Sequence, residues 1–254
     1  MLRTRIIPCL LLKNESLIKT VKFKKYNYIG DPINTVRIFN ELEVDELMFL
    51  DIFASKENRK INFTILKDIA NECFMPLSYG GNIKSLEDAK KIFEIGFEKV
   101  IINSNSFNNL NFIEELSEYF GRQSIVGSID IKKSFFGNEK VYSHHGEKRE
   151  KYNAVAWAKK LEDAGVGELL ITSIDRDGSW GGYDIDMIKK ITDCVQIPVI
   201  ANGGAGCIDD IVNVVRDANA SACALGSMVV YQKKGMGVLV NFPDRLKLIK
   251  ALQC

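Results

Sequence analysis

Histidine is almost absent from this chain, whose 254 residues include only the adjacent pair His144 and His145. The six cysteines form no CxxC pair, so the ligand spacing of zinc sites is missing and we expect neither a metal nor another cofactor. Several cysteines lie in apolar runs, where a free thiol behaves as a small hydrophobic group. This use of cysteine is typical of a reducing compartment, and we expect a cytoplasmic protein.

An excess of one charge sign and long apolar runs are also lacking. The chain has 34 basic and 33 acidic residues, so no overall field would attract nucleic acid. No apolar stretch is long enough to cross a bilayer, and the short apolar run near the N-terminus lacks a small-residue cleavage site. We therefore expect neither nucleic-acid nor membrane partners, and any anion specificity must be local.

Short apolar runs that alternate with amphipathic stretches dominate the sequence. The runs are rich in Ile, Val and Leu without a polar alternation, which is typical of parallel strands buried on both faces. They are Ile6–Leu12, Leu47–Ile52, Pro76–Tyr79, Val100–Asn103, Ser124–Ile129, Leu169–Thr172, Ile197–Ala201 and Ala222–Leu225. Helical patterns between them cover Asn34–Leu42, Phe63–Cys73, Leu86–Ile95, Ala154–Ala164, Ile185–Thr192 and Asp209–Val215. Over this length, the alternation predicts a single (β/α)8 TIM barrel.

An internal repeat divides the chain into two similar halves. Three segments of the first half recur in order in the second: ELMFLDI resembles ELLITSI, MPLSYGG resembles IPVIANGG, and KVIINSNS resembles SACALGSM. The alternative is that all βα units look alike, but three ordered matches at nearly one offset favour a true repeat. We therefore predict two half-barrels, covering about residues 1–122 and 123–254.

Two glycine turns predict phosphate binding. Gly80-Gly81 follows the third predicted strand and Gly203-Gly204 follows the seventh, and the next strand in each half ends in Asn103-Ser104 or Gly226-Ser227. A glycine turn with a serine at a helix N-terminus can surround an anion with N–H and O–H donors. We call these groups the first cradle (Gly81, Asn103, Ser104) and the second cradle (Gly203, Gly204, Gly226, Ser227). Tight βα turns are the alternative, but a symmetric pair favours an elongated ligand with two phosphates, or a descendant of one.

Carboxylates follow several predicted strands. Asp51 ends the second strand, Asp130 ends the fifth, and Asp175 and Asp177 follow the sixth. Catalytic residues of this fold lie at that end of the barrel, so Asp130 is a candidate general acid or base. The alternative role is an ion-paired or loop-capping carboxylate, which suits Asp51 best. Lys19 and Lys132 are candidate cations for a substrate.

Four charges of alternating sign precede strands at the opposite end. Arg5, Glu46, Lys99 and Glu168 stand immediately before the first, second, fourth and sixth predicted strands. Side chains at these positions surround the N-terminal mouth of the barrel. The residues alone favour a salt-bridge layer that serves stability.

Several motifs together resemble the cyclase subunit of imidazole glycerol phosphate synthase, over nearly the whole chain. They are RIIPCL, DELMFLDI, the two glycine turns, SIDRDG and ANGGAG. The resemblance implies a twofold-repeat barrel, a substrate with two phosphates, and ammonia supplied by a separate glutaminase docked at the barrel bottom. It implies that Arg5, Glu46, Lys99 and Glu168 form an ammonia gate, and that Asp130 is one catalytic acid/base. The implied substrate contacts are Lys19, Asn103, Ser104, Thr172, Asp177, Gly204 and Ser227.

The chain departs from the family pattern at the first strand. Leu11 stands where the family has the aspartate that is the second acid/base, and a leucine has no proton to exchange. Asn82 replaces a third glycine at the first turn, and His144-His145 and Trp180 are further departures. Together they resemble an offshoot of the family that serves acetamidino modification of surface sugars. There, a glutaminase and the barrel are thought to deliver ammonia to a third, ATP-dependent amidating enzyme.

Three functions remain open from the sequence. The first is an ammonia-channelling synthase subunit for amidation of a phosphorylated small molecule or nucleotide-sugar. The second is an authentic cyclase of histidine biosynthesis, with Asp51 or Asp177 as a displaced second acid. The third is a non-catalytic partner that only activates the glutaminase.

Overall fold

The computed structural model describes residues 4–134 and 137–253, so Cys254, the last of the six cysteines, lies outside the described residues. The strands are β1 (Arg5–Lys13), β2 (Ser16–Thr20), β3 (Tyr26–Gly30), β4 (Leu47–Asp51), β5 (Leu77–Gly80), β6 (Lys99–Ile102), β7 (Ile125–Lys133), β8 (Glu139–Ser143), β9 (Lys148–Arg149), β10 (Glu168–Ser173), β11 (Val199–Asn202) and β12 (Ala222–Leu225). The parallel order β1-β4-β5-β6-β7-β10-β11-β12 closes on itself, because β12 pairs with β1. The predicted TIM barrel is confirmed.

The helices cover the outside of this barrel. They are α1 (Pro32–Glu41), α2 (Phe63–Glu72), α3 (Leu86–Ile95), α4 (Ser104–Asn108), α5 (Asn111–Phe120), α6 (Ala154–Asp163), α7 (Ile185–Thr192), α8 (Ile208–Ala218), α9 (Ser227–Val230) and α10 (Arg245–Gln253). Polar side chains cap several of them: Asp31, Ser85 and Asp184 each accept a hydrogen bond from a backbone N–H of the first turn. None of the described helices is long and apolar enough to cross a membrane.

Two antiparallel hairpins extend the barrel at its C-terminal end. β2 and β3 continue from β1, and β8 and β9 continue from β7. β1 and β7 are the first strands of the two predicted halves, so each half carries a hairpin in the same place. The division of the chain near residue 122 itself stays a prediction.

Alternate residues of each strand pack into two separate apolar clusters. Along β1, Ile6 and Leu10 belong to the large cluster between strands and helices, whereas Ile7 and Leu11 belong to a smaller cluster inside the barrel. This interior cluster also includes Met48, Val126, Leu170 and Ile200, from four other strands. The barrel is therefore filled with apolar side chains between its two ends.

Candidate functional site

The predicted catalytic and substrate-contacting residues all line one cleft at the C-terminal end of the barrel. The cleft contains about 1060 Å³ of space, including its solvent-open mouth. The lining includes Lys19, Gly81, Asn103, Ser104, Asp130, Thr172, Asp177, Gly203, Gly204, Gly226 and Ser227. Lys132 and Asp175, which the sequence also suggested, do not line it. The structure thus brings the predicted site residues together, and their individual roles stay predictions.

Asp130 lies near the end of β7, between neighbours that can share its hydrogen bonds. Asn103 Nδ2 donates to its Oδ2 at 2.8 Å, and Thr172 is its register partner on β10. Removal from bulk water raises the pKa of Asp130 to about 7, against the opposing effect of hydrogen bonds from Asn103 and Thr172. A carboxyl group with this pKa can both accept and donate a proton near neutral pH.

Leu11 occupies the corresponding position on the opposite side of the barrel. β1 and β7 are first and fifth in the closed order of eight strands, so Leu11 and Asp130 face the cleft from opposite walls. Leu11 is 6% exposed and pairs with Ile18 of β2 and Leu50 of β4. This wall is therefore apolar at the position where the resemblance implies a second carboxylate.

Asp177 is enclosed by donors from the first hairpin. Lys19 Nζ and Thr20 Oγ1 each donate to its carboxylate at 2.7 Å, and the backbone N–H of Phe23 donates at 3.3 Å. Lys19 and Asp177 are both buried. The carboxylate thus holds the hairpin and its lysine against the cleft.

Asp51 is ion-paired to a residue that the sequence analysis missed. Arg59 donates to both of its carboxylate oxygens, at 3.0 and 2.9 Å, and the Ala54 N–H donates to Oδ1 at 3.1 Å. Burial raises the pKa of Asp51, although its bonds to Arg59 act in the opposite direction. The contacts match the structural role that the sequence favoured for Asp51. The only sign of this pairing in the sequence was the single arginine in the loop that follows the second predicted strand, which is β4 in the structure.

The second cradle is open and lies beside a cation. A Cβ added at Gly204 would lie 2.1 Å from the carbonyl oxygen of Gly182, and one added at Gly226 would lie 2.9 Å from Lys19 Cε. Glycine is therefore required at Gly204, where the close atom is backbone, and the end of the Lys19 side chain lies directly over Gly226. Ser227 begins α9, and its hydroxyl has no hydrogen-bond partner among the described residues.

The first cradle is bordered by polar contacts from neighbouring residues. A Cβ added at Gly81 would lie 2.5 Å from the Tyr79 hydroxyl. Asn82 adopts a left-handed backbone with φ of 54°, and its Nδ2 donates to the Arg59 carbonyl at 2.6 Å. Ser104 begins α4, and its hydroxyl accepts a hydrogen bond from the backbone N–H of His144 at 3.0 Å.

The two histidines form a turn over this half of the cleft. His144 and His145 have φ of 51° and 58°, and the His145 ring stacks on Phe23 with centroids 5.1 Å apart. Its centroid also lies 4.8 Å from that of Phe53. Burial lowers the pKa of His145 to about 4, so the ring is neutral near pH 7, and its buried Nε2 has no hydrogen-bond partner among the described residues. Trp180, the remaining departure, has φ of 61° and packs against Gly206 rather than lining the cleft.

The four predicted charges at the other end form a closed ring. Arg5 bonds to Glu46 at 2.7 Å and also to Glu168, while Lys99 Nζ lies 3.3 Å from Glu46 and 3.1 Å from Glu168. Each charge has a partner of opposite sign on either side. The two glutamates are 3% and 5% exposed, and the apolar interior cluster lies on the barrel side of the ring.

Comparison with known proteins gives one consistent result. A family model described as "Histidine biosynthesis protein" matches residues 5–235. A Pseudomonas aeruginosa relative named "Putative imidazole glycerol phosphate synthase subunit hisF2" is 50% identical over 248 residues, covering 98% of this chain and 99% of the relative. The corresponding hisF3 subunit of Vibrio vulnificus is 42% identical over 254 residues, covering 100% and 98%. A Methanococcus vannielii protein named "Imidazole glycerol phosphate synthase subunit HisF" is 39% identical over 253 residues, covering 92% and 93%.

Proposed function

The chain belongs to the HisF-like family of imidazole glycerol phosphate synthase subunits, and we propose that it uses ammonia from a glutaminase partner to amidate a sugar. In this proposal the glutaminase docks at the N-terminal face. Ammonia enters through the ring of Arg5, Glu46, Lys99 and Glu168 and crosses the apolar barrel interior. At the C-terminal cleft it serves formation of an acetamidino group for a surface polysaccharide, together with a third, ATP-dependent enzyme.

The ring and the interior support the transport part of this proposal. Glu46 and Glu168 are buried and share two cations, so the ring blocks the barrel axis while all four contacts are made. Beyond it lie Met48, Val126 and Leu170. Ammonia is neutral, so an apolar passage admits it while excluding ammonium and other ions, whose desolvation is costly. A salt-bridge layer that only stabilised the barrel would not need an apolar passage behind it, so the arrangement favours a gate.

Leu11 is the observation that carries the choice of reaction. Cyclisation needs two groups that exchange protons, and this cleft has Asp130 on one wall but Leu11 on the other. Loss of a positioned acid or base costs roughly 10²–10⁴-fold in rate. Delivery of ammonia to an activated substrate has no such requirement. The chain therefore keeps what transport needs and lacks half of what cyclisation needs.

The authentic cyclase is the second candidate, supported by the family membership and by Asp130. It requires another acid to replace the missing carboxylate. Asp51 is bound by both terminal nitrogens of Arg59, and Asp177 is bound by Lys19 and Thr20. Each carboxylate is already held by protein donors and would have to give up these contacts to exchange a proton with a substrate. We therefore favour amidation over cyclisation. The third candidate, a partner that only activates the glutaminase, would need the ring but not the cleft.

A reconstituted reaction tests the transport part. The chain is combined with a glutaminase subunit and the amidating enzyme, and the amidine product is measured by mass spectrometry with glutamine or with ammonium as the nitrogen source. Lys99→Ala should change product formation from glutamine several-fold and leave ammonium-dependent formation unaltered. Lys91→Ala, on the exposed face of α3, is the control. If Lys99→Ala behaves as the control does, the gate assignment is wrong.

A second assay separates the candidate reactions. The ribulosyl substrate of the histidine-pathway cyclase is supplied with ammonium, and imidazole glycerol phosphate is measured. We expect no turnover above that of an Asp130→Asn variant. Turnover at cyclase-like rates would overturn the amidation proposal in favour of the authentic cyclase. If no phosphorylated ligand binds the cleft at all, the chain is better described as a glutaminase activator.

A further inference from the structure

The two hairpins at the cleft supply different groups to the two cradles. The first hairpin places Lys19 over Gly226, so a cation lies at the second cradle. The second hairpin ends in the His144-His145 turn, and its backbone reaches Ser104 of the first cradle. Since the hairpins follow equivalent strands of the two halves, a lysine at one cradle corresponds to a histidine turn at the other. The two halves therefore have the same backbone arrangement but place different side chains at their cradles.

Cationic charge is confined to the second cradle. Among the described residues that line the cleft, Lys19 is the only lysine or arginine. Its ammonium group has three N–H donors and one bond to Asp177, which leaves donors for a ligand. Arg59 lies near the first cradle, but it binds Asp51 and, through Nε, Glu57. A phosphate in the first cradle would lose its hydration with no cation to replace it, which is costly.

The first cradle is also partly filled. The Ser104 hydroxyl accepts the backbone N–H of His144 at 3.0 Å, so the histidine turn packs directly against this serine and uses one of its acceptor positions. Asn82 Nδ2 is used by the Arg59 carbonyl. The hydroxyl of Ser227, at the equivalent position of the second cradle, has no hydrogen-bond partner within the described part of the chain. Only the second cradle therefore presents an unoccupied hydroxyl together with a cation.

One wall of the cleft is apolar and aromatic. Leu11 and the rings of Phe23 and His145 line this part of the cleft, with Phe53 packed behind His145. His145 is neutral near pH 7, and its buried Nε2 has no partner. Such a surface favours an uncharged group with an apolar face, and a small shift of the ring would let Nε2 make one hydrogen bond to it.

We propose that the cleft binds a ligand with a single phosphate group, held in the second cradle, whose uncharged end packs against the wall formed by Leu11, Phe23 and His145. The His144-His145 turn closes the first cradle to phosphate. This inference deepens the proposed function, on which it rests for the location of the acceptor site. It excludes the two-phosphate ligand that the glycine turns alone suggested.

A titration with inorganic phosphate shows how many cradles bind phosphate. The wild-type chain is titrated with phosphate while backbone amide chemical shifts are recorded. The amides of Gly204 and Ser227 should shift and saturate together, and those of Gly81 and Ser104 should not. Saturating shifts at the first cradle with a similar Kd would overturn the proposal, as would absence of binding at the second. The count needs no variant, so it does not depend on the folding of one.

A matched pair of variants tests the second cradle itself. Ser227→Ala removes a hydroxyl that would donate to a charged ligand, so the Kd for phosphate should rise at least about tenfold. The control is Ser221→Ala, an exposed serine just before β12, at the other end of the same strand. Equal phosphate affinity of the two variants would show that Ser227 does not bind phosphate.

The uncharged end is tested with 1-naphthyl phosphate. Burial of its rings against the apolar wall should make it bind about tenfold or more tightly than inorganic phosphate. The amides of Phe23 and His145 should shift with it. If it binds no more tightly than inorganic phosphate, the apolar half of the proposal is wrong. None of these measurements uses ammonia or glutamine, so their failure and a failure of the gate experiment are distinguishable.

Discussion

Replacing Leu11 by aspartate would introduce the carboxylate that the family resemblance implies at this position and would test whether its absence determines the reaction. The side chain is 6% exposed and contacts apolar neighbours on β2 and β4. Burial of a leucine is worth about 1.5–3 kcal/mol, and the new carboxylate adds a desolvation cost. We expect Leu11→Asp to lower the free energy of unfolding by about 2–4 kcal/mol near pH 7.

The same change should create cyclase activity. It places a carboxylate on the wall opposite Asp130, whose own pKa of about 7 already suits proton exchange. A second positioned acid/base contributes roughly 10²–10⁴-fold. Leu11→Asp should therefore convert the ribulosyl substrate with ammonium at least about 100-fold faster than the parent chain.

Leu11→Asn is the matched control, because it has the same shape and cannot ionise. Burial raises the folded-state pKa of the new Asp, so Leu11→Asp should lose stability relative to Leu11→Asn as pH rises through that pKa. Urea unfolding at several pH values measures this difference. The reasoning is refuted if both variants fold and bind phosphate but Leu11→Asp turns over no faster than Leu11→Asn.

Three further predictions concern stability. Asp130 has a folded-state pKa raised to about 7, so its contribution is present below the unfolded value of about 4 and lost as pH rises through 7. As the pH rises from about 4 to about 7, the unfolding free energy of the parent should fall by on the order of 1–3 kcal/mol relative to that of Asp130→Asn. If the difference between the two proteins does not change with pH, the assigned pKa is wrong. Burial lowers the pKa of His145 to about 4, so its neutral ring stabilises the fold only while the pH is high enough to keep it unprotonated. As the pH falls from about 6.5 to about 4, the unfolding free energy of the parent should fall by on the order of 1–2 kcal/mol relative to that of His145→Phe, measured by urea unfolding. Gly204→Ala, with φ of 116° and a backbone oxygen 2.1 Å from the new Cβ, should lower unfolding free energy by about 2–4 kcal/mol. In contrast, Gly237→Ala, with open space around it, should change it by less than about 0.5 kcal/mol.

The barrel strands could be predicted because they are buried on both faces and therefore read as unbroken apolar runs. Ala222–Leu225 and the helix Leu86–Ile95 are observed at their predicted bounds. β7 runs on to Lys133, beyond the predicted end at Ile129, because its last four residues pair with β8 and the first two of these also pair with β10. Hairpin strands such as β3 have an exposed face and a mixed composition, so they show no apolar run.

Members of the cleft were predictable where a residue type has few other uses. Gly204 is an example, because its left-handed backbone approaches the Gly182 carbonyl too closely for a side chain. Partners of polar residues were not predictable, since they are set by tertiary contacts. The sequence suggested that Asn82 adds a side chain to the first cradle, but its amide Nδ2 donates a hydrogen bond to the Arg59 carbonyl. Asparagine tolerates the left-handed backbone there, so the turn keeps its shape without glycine.

The closed ring at the barrel bottom sets a condition on any ammonia passage. All four contacts cannot persist while a molecule crosses, so one side of the ring must open. Arg5 holds Glu46 at 2.7 Å, whereas Lys99 lies 3.3 Å from Glu46 and 3.1 Å from Glu168. The lysine contacts are longer, and lysine is a point charge on a flexible stem, whereas arginine binds with a rigid fork. If the ring is the gate that we propose, we therefore expect Lys99 to release its contacts at the lower cost, while Arg5 keeps both glutamates as partners. For this reason a substitution at Lys99, rather than one at Arg5, should alter ammonia passage with little effect on the stability of the barrel.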